Sequence, residues 1–155
     1  SVKSAFLKKL QARQSPPAIV TSKSQADIAA FRLQMEQLQE QMTGWLAETG
    51  LQAEAFSVSV PDLLVAGGAF TISAIVLRYE NRAIKWIPIF LYGHGITGCV
   101  EITLHAGERV TTLGRLFMHA GRLRVRMINQ HSDASLHGHV FDEDIFFHLI
   151  AGLLP

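Results

Sequence analysis

The stretch ADIAAFRLQMEQLQEQMTGWLAETGLQAEAFSVSVP, residues 26–61, changes its hydrophobic period once, and that change decides the fold. In its first half Ile28, Phe31, Met35, Leu38, Met42 and Trp45 follow at steps of three, four, three, four and three, the heptad seam of a long amphipathic helix. Ser24 with Asp27 reads as an approximate capping box at its start, and Gly50 marks its end. Between the seam residues stand Gln34, Glu36, Gln37, Gln39, Glu40 and Gln41, a polar back expected in water. In the second half Phe56, Val58 and Val60 alternate with Ser57 and Ser59 until Pro61. The period has fallen to two, so the chain there is a strand.

Upstream, SVKSAFLKKLQARQ reads as a short amphipathic helix and SPPAIVTSKS, with Pro16 and Pro17, as a linker. Residues 1–23 are therefore expected to stand before a single domain of residues 24–155. Downstream, period-two segments are expected at 70–79, 84–92, 99–105, 109–113, 116–119 and 122–128. They are separated by Asn81-Arg82, Gly93-His94-Gly95, Ala106-Gly107 and Ala120-Gly121, connections short enough to require antiparallel neighbours. From Asp142 the apolar residues Ile145, Phe146, Leu149, Ile150 and Leu153 return to helical spacing. The class is α+β: N-terminal helices, one of them long and amphipathic, an antiparallel meander of about six or seven strands, and a C-terminal helix. TISAIVLRY and WIPIFLY are apolar on both faces, which suits strands covered on one side by the long helix and on the other by a second copy of the chain or by the sheet's own curl.

Composition narrows the function. The chain has 155 residues, enough for one ordinary core, and 14 Lys and Arg against 13 Asp and Glu give a net charge of +1. A balance so close to neutral supplies no global attraction to nucleic acid or to a membrane surface. The single Cys99 cannot form an internal disulfide, which points to a reducing cytoplasm. Lys8 and Lys9 interrupt the apolar start, as a signal peptide would not allow, and the two longest uncharged runs, 15 residues each, fall short of the roughly 20 a membrane helix needs. Cys99 itself opens an apolar strand and is expected to be a buried, inert thiol. No nucleophile elbow and no phosphate-binding loop is present in the sequence.

Two polar stretches remain. HSDASLHGHVFDED, residues 131–144, places His137 and His139 two residues apart, with Glu143 four further on. That string resembles a seven-residue fragment of the cupin metal motif, but it lacks the motif's preceding glycine and its downstream histidine. His137, His139 and Glu143 are weak candidate metal ligands, and no metal or other cofactor is expected. Asp142, Glu143 and Asp144 have a simpler role, because acidic residues stabilise the first turn of a helix and Asp142 is a good N-cap.

The second stretch is RLRVRM, where Arg122, Arg124 and Arg126 alternate with Leu123, Val125 and Met127, so a strand carries three guanidinium groups on one face. Residues 109–132 contain five arginines, including Arg109 and Arg115, and no acidic residue. Guanidinium groups suit planar, bidentate recognition of carboxylate or phosphate. The expected function is a non-catalytic, bacterial-type protein-binding module, an adaptor, chaperone or immunity-like protein. Arg122, Arg124, Arg126, Arg115 and Arg109 would bind an acidic partner protein. Nucleic acid on the same arginines is the alternative, and a metal-dependent enzyme built on His137 and His139 a further one. A second copy of the chain is an additional candidate partner, and no membrane role is expected.

Overall fold

A computed structural model describes residues 1–14, 18–65, 67–93, 96–119, 122–127 and 138–155. The long helix, α2 (Ala18–Trp45), follows α1 (Val2–Gln14), and from it the chain enters seven strands: β1 (Ala53–Pro61), β2 (Ala69–Tyr79), β3 (Arg82–Gly93), β4 (Ile96–Ala106), β5 (Arg109–His119), β6 (Arg122–Met127) and β7 (His139–Val140). α3 (Glu143–Ile150) and a short 3-10 turn close the chain. The strands form one sheet in sequence order, each antiparallel to the next, so the α+β meander is the architecture. None of the described helices is long and apolar enough to cross a membrane.

The seam of α2 is the centre of the core. Ile28, Phe31, Met35, Leu38 and Met42 are buried as their spacing requires, while Trp45 is half-buried and Leu46 completes the stripe. Trp45 packs on Phe141 and Phe146, with ring centroids 5.9 and 5.2 Å away, and Phe146 continues to Trp86 at 6.1 Å. Thus α3 and the end of α2 cover the same face of the sheet. That face also presents Ile84, Leu91, Val100, Ile102, Leu116 and Val125, all buried. At its other end α2 fills a split in the sheet. The β2–β3 ladder runs only from Ile75 to Tyr79 on β2, and Phe31 lies between Phe70 on β2 and Gly98 on β4. A side chain at Gly98 would begin 3.2 Å from that ring, and its φ is +80°.

Three local expectations are corrected. α2 begins at Ala18, so residues 18–24, expected in the linker, are helical, and Ser24 and Asp27 lie inside the helix and form no capping box. Ser24 and Asp27 serve tertiary contacts instead: Ser24 donates to the Leu64 carbonyl and Asp27 accepts from the Tyr92 hydroxyl. Gln34, expected in water, is buried beside the seam. Finally, Gly114 does not divide residues 109–119 into two strands. β5 is continuous, and the glycine lies at a register shift where a Cβ would stand 2.6 Å from the Arg126 carbonyl oxygen.

The remaining capping expectation holds. Asp142 is the N-cap of α3, its carboxylate accepting from the Ile145 amide at 2.9 Å, with Glu143 and Asp144 in the first turn. Ala74 to Leu77 are buried on both faces of the sheet. On the face away from the helices, Phe56 stands opposite Ala74 and Lys85 opposite Val76, and the Lys85 ammonium lies 5.9 Å from the Phe56 ring. The long side chains of neighbouring strands therefore roof the short ones.

Candidate functional site

Residues directly opposite each other in an antiparallel ladder project to the same face. On β5 and β6 the opposed pairs are Arg115 with Arg126, Phe117 with Arg124, and the backbone positions of His119 and Arg122. On β4 and β5 they are Glu101 with Arg115 and Cys99 with Phe117. Arg115, Arg124 and Arg126, with Arg122 at the strand's start, thus share a face with Phe117, Glu101 and Cys99. The alternating residues Leu116, Val125, Leu123 and Met127 face the helices, so the arginines lie on the face that α2 and α3 leave uncovered.

Two rows cross this surface. Glu101, Arg115 and Arg126 form one, and Cys99, Phe117 and Arg124 the next. In the first row Arg115 approaches Glu101 at 3.6 Å, a loose and half-exposed ion pair. Arg126 lies over the Phe117 ring, its guanidinium carbon 5.6 Å from the centroid. In the second row the Arg124 Nη1 donates to the Gly138 carbonyl at 3.2 Å, while its buried Nε has no hydrogen-bond partner among the described residues. Arg124 is therefore oriented by the backbone that leads into β7. Gly138 is required there, since its φ is +67° and a Cβ would fall 2.5 Å from the Val125 carbonyl.

The electrostatics are lopsided. Arg115 and Arg126 are like charges directly opposite across two strands, an arrangement that costs stability. Among the described residues of this face, four guanidinium groups meet one carboxylate, Glu101. Further along β4 on the same face, burial first and the nearby Lys85 second lower the pKa of His105, whose ring nitrogen pairs with Thr103. Below the arginines Cys99 is inert, because burial pushes its thiol up to about 11.

Arg109 does not belong to the cluster. It opens β5 opposite Ala106, and the ladder from Thr103–Thr112 onward turns it to the helix side. The register shift at Gly114 and the length of β5 separate it from Arg115. Phe117, Glu101 and Gly138 were not anticipated as parts of the site. A signal for Phe117 was nevertheless present: folding the chain at Ala120-Gly121 sets residue 115 against 126 and 117 against 124.

Two of the three candidate metal ligands lie among the described residues. His137 lies outside the described residues, His139 is exposed on β7, and Glu143 is exposed in the first turn of α3. Among the described residues no group of three or more His, Cys, Asp or Glu side chains could hold a metal ion. An open hollow of about 530 Å³ runs between α2 and the β5–β6 hairpin, lined by Gln34, Gln37, Glu40 and Gln41 over Leu38, Met118 and Leu123. Amides and one carboxylate over an apolar floor provide no nucleophile with a positioned base. Comparison with protein-family models, with curated proteins and with solved structures gave no match.

Proposed function

We propose that this protein is a non-catalytic binding module, of adaptor, chaperone or immunity-like type, that takes an acidic partner protein on the face carrying Arg115, Arg122, Arg124 and Arg126. The observation that carries the proposal is the Arg115–Arg126 opposition across β5 and β6, next to Arg124. An arrangement of like charges that costs the isolated fold stability is compensated when carboxylates of a partner lie between them. Phe117 and the aliphatic stems of the arginines supply apolar contact beneath the charges. The neutral overall charge and the single cysteine fit a partner met in the cytoplasm.

Nucleic acid is the competing ligand for such a face. Phe117 is 5% exposed and roofed by Arg126, so it offers no platform on which a base could stack. The test is titration with a polyglutamate peptide and, separately, with a single-stranded oligonucleotide, on wild type and on the Arg122→Gln/Arg124→Gln/Arg126→Gln variant at two ionic strengths. Binding of the acidic peptide that the variant loses while keeping its circular dichroism supports the proposal. Equal affinity of variant and wild type overturns it, and tighter binding of the oligonucleotide transfers the face to nucleic acid.

A further inference from the structure

β1 is the outer strand of the sheet, and its backbone shows how the open edge is phased. At the β1–β2 turn the Asp62 amide donates to the Gly68 carbonyl at 2.9 Å. In an antiparallel ladder such bonded pairs recur every second residue, so Glu54, Phe56, Val58 and Val60 turn their backbone groups to β2. Ala55, Ser57 and Ser59 turn theirs outward. The Gln39 amide agrees with this phase, because it donates at 3.0 Å to the Ala53 carbonyl, the preceding outward position. Pro61 closes the other end, since it stands in the outward phase and has no N–H to offer.

The open edge therefore runs from Ala55 to Ser59 and has Ser57 at its centre. No charged residue lies within it. Its side chains on the helix face are small and exposed, and a shallow hollow of about 210 Å³ separates Ser57 from Arg32 and Glu36 of α2. An edge this short and this plain lacks the usual protections, a lysine or a bulge, that keep strands from pairing.

We infer that β1 pairs with β1 of a second copy, antiparallel and centred on Ser57, to make one continuous sheet of two chains. The register follows from the blocked ends. With Ser57 opposite Ser57 of the other copy, Ala55 meets Ser59, and Gln39-capped Ala53 lies opposite Pro61, so neither block obstructs a bond. Two hydrogen bonds form at each of three opposed pairs. On the other face Phe56 meets Val58 of the second copy, a favourable aromatic and β-branched pair. Such an interface is isologous and closes at two chains. Among the described residues the sheet's opposite edge is β7, two residues long, so they offer β1 no long complementary edge on which a filament could grow. β1 and the arginines of β6 lie at opposite ends of the sheet order, and the pairing leaves the proposed partner face free.

The test is sedimentation equilibrium of the full chain up to roughly 100 μM, where a functional homodimer should be populated. A dimer is expected, with the Ser57→Lys variant at least about tenfold weaker in association because two ammonium groups would oppose each other at the dyad. Opposed residues in a bonded pair lie about 5.5 Å apart at Cα, within disulfide reach, so the Ser57→Cys variant should cross-link under mild oxidation. Ser73→Cys, one strand inward on the same face, should not. A wild-type chain that stays monomeric throughout overturns the inference, as does a dimer in which Ser57→Cys fails to cross-link and Ser57→Lys associates normally.

Discussion

Asp142 is a residue whose role is local and complete: its carboxylate satisfies the Ile145 amide at the start of α3. Asp142→Ala should destabilise the fold by about 1 kcal/mol, measured as a shift in urea midpoint at unchanged slope. Gly114 and Gly138 are residues set by their neighbours, since each lies against a carbonyl oxygen that a Cβ would strike. Gly114→Ala should cost at least about 1 to 3 kcal/mol through forced backbone movement, and a thermal melt within a degree of wild type would show that β5 relaxes around the methyl group. Cys99 adds a pH dependence. Its folded pKa is raised to about 11 by burial, so the thiol's contribution is fully present below the unfolded value and fades as pH rises toward 11. Comparison of wild type with Cys99→Ala in urea at neutral and alkaline pH checks the sign: wild type should lose more stability on going alkaline.

At the scale of elements, α2 is the main contributor to the core, because five of its expected seam residues are buried and Leu46 extends the stripe. Leu38 is 1% exposed, and Leu38→Ala should cost about 2 to 5 kcal/mol, read from denaturant midpoints; a change under half a kcal/mol would remove α2 from the core. β6 behaves differently. Arg126 stands opposite Arg115, but it also lies on Phe117, so two effects of a few tenths to about 1 kcal/mol offset in any Arg126 substitution. Arg126→Gln should therefore change stability by less than about 0.5 kcal/mol while weakening binding of an acidic ligand. Stability and binding are separable on this strand because its opposite side, with Val125 fully buried, holds it in the sheet.

For the molecule as a whole, one face of a seven-stranded meander is covered by α2 and α3 and the other is roofed in part by its own long side chains. α1 takes little part in this arrangement: side chains of residues 1–10 are exposed, including Val2 and Phe6. Deleting residues 1–10 should leave the unfolding midpoint within about 0.5 kcal/mol of the full chain, by urea titration. A larger loss would bring that helix into the folding unit.

Periodicity determined the type and order of the elements, though not the start of α2 or the continuity of β5. The step from a heptad seam at residues 28–45 to alternation from residue 56 establishes helix and then strand, because side-chain burial repeats with the geometry of the backbone itself. Short connections made the sheet antiparallel, and Asp142 marked the last helix through a single side-chain bond. The face of Arg122, Arg124 and Arg126 was likewise readable from their alternation. What neighbours them was not, since Glu101 and Phe117 reach the arginines only through ladder register, a property of paired strands. The same holds for Ser24 and Asp27, whose local spacing suggested a cap but whose partners, Leu64 and Tyr92, are brought to them by the sheet. Arg109 was grouped with the other arginines by distance along the chain, and a register shift opposite Gly114 turned it to the other face. Local geometry is encoded within a few residues, whereas the choice between two faces depends on one inserted residue and on the strands packed beside it.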